Sequence, residues 1–95
     1  MMIGKITIAD KVITAAARHM ILNTDGVVAI TDKAGKTSRG RVILTRDRKL
    51  IIYLICRYGA NTNRIYNETA DGIRRIFGDI GNIREIAIYV AGIGE

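Results

Sequence analysis

The chain has 95 residues, 48% apolar and 25% charged, proportions that suit one globular domain spanning 1–95. Fifteen Lys and Arg against nine Asp and Glu give a net charge of +6, which favours an anionic partner such as nucleic acid or a lipid surface. The single cysteine excludes an internal disulfide, the absence of proline excludes proline-rich ligand segments, and the longest apolar run, Leu50 to Cys56, falls well short of the roughly 20 residues of a membrane span.

Met2 to Ile8 alternates, with Met2, Gly4, Ile6 and Ile8 on one side and Ile3, Lys5 and Thr7 on the other. This pattern predicts a strand rather than a signal peptide. Asp10 then caps a helix to about Asn23, whose apolar stripe is Val12, Ile13, Ala16, Ala17 and Met20. Thr24-Asp25-Gly26 forms the exit turn, and Val27 to Ile30 is a short second strand. Thr31 to Gly40 is a polar loop, Arg41 to Thr45 a third strand, and Arg46 to Lys49 a tight turn. Seven basic residues and one acid fall between Lys33 and Lys49, the densest charge cluster in the chain.

Lys49 to Gly59 predicts the central strand. Its isoleucines and tyrosines pack well on a pleated surface. Alternation places Leu50, Ile52, Leu54 and Cys56 on one face and Ile51, Tyr53, Ile55 and Arg57 on the other. Asn61 or Thr62 caps a second helix to about Phe77, with Ile65, Thr69, Gly72, Ile73, Ile76 and Phe77 inward and Gly78 at its end. Arg64 and Glu68, four apart, can pair. Ile83 to Val90 is the last strand, with Ile86, Ile88 and Val90 on one face and Ala87 and Tyr89 on the other. The expected architecture is α+β: a two-layer sandwich in the order β-α-β-β-β-α-β, with two helices on one face of a mixed sheet.

Groups that catalyse are sparse. His19 is the only histidine and reads as a solvated helix residue, while Cys56 reads as a small core residue. One histidine and one cysteine do not build a typical zinc site. The acids stand singly, so no cofactor, metal or catalytic residue is assigned. Gly78 to Gly81 matches the glycine loop of the KH module in letters but joins a helix to a strand, the wrong context. An RNA recognition module has similar length and order, yet Arg39-Gly40-Arg41-Val42-Ile43 lacks the aromatic of its signature.

Several ordered segments resemble the bacterial alkaline shock protein family. Gly4-Lys5-Ile6-Thr7-Ile8-Ala9 is similar to its opening Gly-x-Ile-x-Ile-Ala strand, and Asp25-Gly26-Val27 to its Glu-Gly-Val. Arg39-Gly40-Arg41-Val42 resembles Arg-Gly-Val-x-Val, and Tyr58-Gly59-Ala60-Asn61 resembles the turn into the second helix. Ile86-x-Ile88-x-Val90-x-Gly92 resembles the closing strand. The resemblance implies a non-enzymatic cytoplasmic protein of cell-envelope homeostasis or stress. It would assemble with itself and lie against the inner membrane face through a membrane-anchored protein partner.

The expected protein interface is Ile51, Tyr53, Ile55 and Tyr89, the sheet face that two helices leave open. The alternative is a nucleic-acid-binding domain contacting phosphates through Lys36, Arg39, Arg41, Arg46, Arg48 and Lys49. The same cluster facing anionic lipid is a variant of that alternative.

Overall fold

The computed structural model describes residues 8–78 and 81–94. The strand expected over Met2 to Ile8 therefore lies, but for Ile8, outside the described residues. The elements are α1 (Asp10–Leu22), β1 (Val27–Thr31), a 3₁₀ turn (Thr37–Arg39), β2 (Ile43–Leu44), β3 (Lys49–Arg57), α2 (Thr62–Phe77) and β4 (Glu85–Gly94). The class is α+β, with both helices packed against one face of a mixed four-stranded sheet.

β3 is central. It pairs along its whole length with β4 in parallel, from Lys49 opposite Glu85 to Arg57 opposite Gly94. Its other edge carries two antiparallel strands end to end: β1 against Tyr53 to Cys56, then β2 against Leu50 and Ile51. Between Thr31 and Ile43 the chain leaves the ladder and comes back. The expected Arg41–Thr45 strand thus shrinks to two residues, because Arg41 and Val42 belong to that excursion and Val42 turns into the core. At the other end of the chain, β4 outruns its expected limit at Val90. Main-chain pairing continues through the glycines, which need no side chain to donate and accept.

The core follows the alternation of β3. Leu50, Ile52, Leu54 and Cys56 are buried against Ile13, Ala17 and Ile21 of α1 and Ile65, Ala70, Ile73 and Phe77 of α2. The stripe of α1 recurs every fourth residue from Ile13, which turns Val12 outward at 49% exposure and brings in Ile21, a residue outside the expected set. On α2 the same geometry buries Ala70 and leaves Ile76 59% exposed, contrary to expectation. Gly72 serves the helix–helix contact rather than helix against sheet. A Cβ there would meet the Met20 Cε at 2.2 Å.

The helix ends are only partly as expected. Ala9, not Asp10, occupies the N-cap of α1, and the Asp10 carboxylate receives a hydrogen bond from Arg48 instead of capping backbone amides. At the other end Asn23 Nδ2 donates to the His19 carbonyl and Thr24 Oγ1 to the Met20 carbonyl. Asn61 caps α2 by accepting from the Arg64 amide, and Gly78 (φ 52°) closes it in the left-handed region. The Arg64–Glu68 pair forms at 2.8 Å.

One polar atom breaks the pattern. Thr69 Oγ1 is buried under the helices without a hydrogen-bond partner among the described residues. Thr69→Val keeps the shape and removes the stranded hydroxyl, so it should raise unfolding stability by about 1 kcal/mol, read from the denaturant midpoint.

Candidate functional site

Two surfaces come out of this architecture. The first is the sheet face opposite the helices. Ile51, Tyr53 and Ile55 of β3 are half-buried there, and Tyr89 of β4 is 45% exposed. Tyr53 and Tyr89 are register partners, and their rings stack with centroids 5.1 Å apart and planes 22° apart. A bulge in β4 sets Gly92 opposite Ile55, while Ala29 of β1 flanks it on the other edge, so small neighbours leave the isoleucine accessible. All four residues expected at an interface thus lie on one face, with no helix over them among the described residues.

The second surface is created by the break between β1 and β2. Asp32 Oδ1 accepts from the amides of Ala34 and Lys36, folding the first part of the excursion into a tight turn that Gly35 (φ 86°) completes. The chain then makes its 3₁₀ turn and lays Gly40 directly on β1. A Cβ on Gly40 would sit 1.9 Å from the Ile30 carbonyl oxygen, although its backbone angles are ordinary. The requirement is therefore steric. Arg18 Nη1 donates to the Gly40 carbonyl at 3.2 Å and holds the segment from the side of α1.

Where the two strand ends part, a cleft of about 680 Å³ opens. Its apolar wall is Tyr53 and Ile43, and Ser38 adds a hydroxyl, while Thr31 beneath is fully buried with its Oγ1 donating to the Asp32 carbonyl. Lys33, Arg39 and Arg41 line it with positive charge, Asp32 with one negative. None of the three cations makes an ion pair among the described residues.

The structure thereby divides the basic residues read from the sequence. Arg39 and Arg41 meet at the cleft, and Lys36 lies exposed on the same excursion. Arg46 is exposed on the turn before β3. Arg48 is part of the framework: at φ 66° it donates to Asp10 Oδ1 (2.9 Å), the Gly81 carbonyl (2.6 Å) and the Asn82 carbonyl (3.2 Å), and its own carbonyl accepts from the Arg84 amide (2.8 Å). Lys49 Nζ lies 3.6 Å from Glu85 Oε2. Lys33 opens the basic segment expected for the nucleic-acid alternative, though it is not among the six contacts named there, whereas Thr31, Ser38 and Ile43 were not expected at a site and nothing local marked them.

His19 is exposed on α1 and Cys56 is buried in β3, where burial pushes its thiol above the usual range. Among the described residues no group of three His, Cys, Asp or Glu gathers to hold a metal, and no helix is long and apolar enough to cross a membrane.

Two outcomes follow from this geometry. Gly40→Ala forces backbone apart at Ile30 and should cost about 1–3 kcal/mol, seen as a lower thermal midpoint, whereas Ser38→Ala on the same exposed turn should leave it unchanged. The native Cys56 thiol should resist a disulfide-exchange reagent at mildly alkaline pH and react fully after unfolding. Compared with protein-family models, with curated proteins and with solved structures, the chain has no significant match.

Proposed function

We propose that this protein is a non-enzymatic assembly module of the alkaline shock type, acting in cell-envelope homeostasis or stress. It works on the cytoplasmic side, self-associating and docking on a membrane-anchored protein partner at the inner membrane face. The observation that carries this reading is the open sheet face, where Ile51, the stacked Tyr53 and Tyr89, and Ile55 stand without a covering layer among the described residues. Removing apolar surface from water is worth about 25 cal/mol per Å², and the tyrosines keep their hydroxyls available at the rim of such a contact. The non-enzymatic part draws on the placement of His19 in solvent and Cys56 in the core.

A net charge of +6 opposes self-association, so the contact has to be made by the apolar face and should strengthen as salt screens the repulsion. Light scattering on the wild type is expected to give a mass above that of the monomer, rising with salt. Tyr89→Glu, at an exposed position, should return it to the monomer without loss of its circular dichroism. A wild type that stays monomeric at high concentration and high salt sinks the self-assembly reading.

A further inference from the structure

We infer that the cleft at the break between β1 and β2 binds a nucleotide unit, its base laid against Tyr53 and its phosphate held by Lys33, Arg39 and Arg41. The cleft's volume of about 680 Å³ falls within the range of small-ligand sites, roughly 300–1,000 Å³. Its lining has two unlike halves. One is the apolar wall of Tyr53 and Ile43, and the other is a set of three cations unpaired among the described residues. A bare anion would use only the second half and a hydrocarbon only the first. A ligand that joins a flat aromatic ring to a phosphate uses both.

The position of Tyr53 supports the stacking role. Across the sheet it has Tyr89 on the β4 side and Thr31 on the β1 side, and the cleft lies on the β1 side. One flank of the Tyr53 ring is stacked on Tyr89, so a base entering the cleft extends an aromatic stack already two rings long. Asp32, the one acid in the lining, has a single oxygen engaged in its own turn. Its other oxygen suits a sugar hydroxyl better than a phosphate. The chemistry is the same whether the nucleotide is free or belongs to a single strand. This inference does not rest on the assembly reading, since its cations lie on the excursion beside β1, but it shares Tyr53 with the proposed assembly face.

The test is a titration of dilute, isotopically labelled full-length protein, read by amide chemical shifts, with ATP in one arm and a short single-stranded RNA in the other. Inorganic tripolyphosphate is the control ligand. Shifts are expected at Lys33, Arg39, Arg41 and Tyr53 with a dissociation constant below about 1 mM at low salt. Arg39→Ala and Arg41→Ala should each weaken binding about tenfold, while Arg46→Ala, outside the cleft, should not. Tyr53→Leu should weaken ATP and RNA by roughly fivefold or more but leave tripolyphosphate unchanged. Saturation by ATP alone assigns the free nucleotide, and much tighter RNA binding at the same residues assigns the strand; either supports the inference. Tripolyphosphate binding as tightly as ATP, or no shift at these residues with any ligand, overturns it. The wild-type shift map decides between these outcomes even if a variant fails to fold.

Discussion

Alternation along β3 divides the molecule. Leu50, Ile52, Leu54 and Cys56 project to one side and draw both helices there, because each helix has a single apolar stripe to bury. Ile51, Tyr53 and Ile55 project to the other side, and with both helices committed no element among the described residues is left to roof them. A strand apolar on both faces within a two-layer fold therefore produces a surface as well as a core. The contact of α1 with α2, where the tip of Met20 lies in the space Gly72 leaves, keeps the two helices side by side over the buried half.

The second consequence concerns the edges of β3. β4 runs beside it without a break in partners, so that edge is continuous. The other edge is shared by two short strands running in the same direction, and the chain between them has to go somewhere. It is folded by the Asp32 turn and pinned by Gly40 against Ile30, with Arg18 reaching across from α1. The gap this leaves opposite the middle of β3 is the cleft. Its floor is thus borrowed from the open face, through Tyr53 and Ile43, and its charged rim comes from the excursion. Both candidate surfaces depend on how β3 is flanked.

Residues of identical chemistry end up with different duties for the same reason. Arg48 sits where the turn into β3, the start of α1 and the approach to β4 converge, and three of its donors are taken up by those segments. Arg39 and Arg41 flank the glycine that seats the excursion, where the backbone is fixed but no acid pairs with the side chains among the described residues. A guanidinium tied to backbone carbonyls clamps a fold; one held at the rim of a cleft is available to a ligand.

The sequence by itself determined the layers. Period-two and period-four spacing placed the two helices, the central strand and its buried and open faces, since such patterns are local and read directly from neighbours in the chain. Cap residues marked the bounds of α2 for the same reason. The details that sequence misjudged are non-local: Asp10 joining Arg48 rather than its own helix, Val12 and Ile76 turned to solvent, and β4 continuing through its glycines beside β3. The collinearity of β1 and β2, the close seat of Gly40 on Ile30 and the cleft between them exist only once segments far apart in the chain meet. Which cations find a partner among the described residues was likewise decided there, because a charge's partner is set by proximity in space and not by its place in the chain.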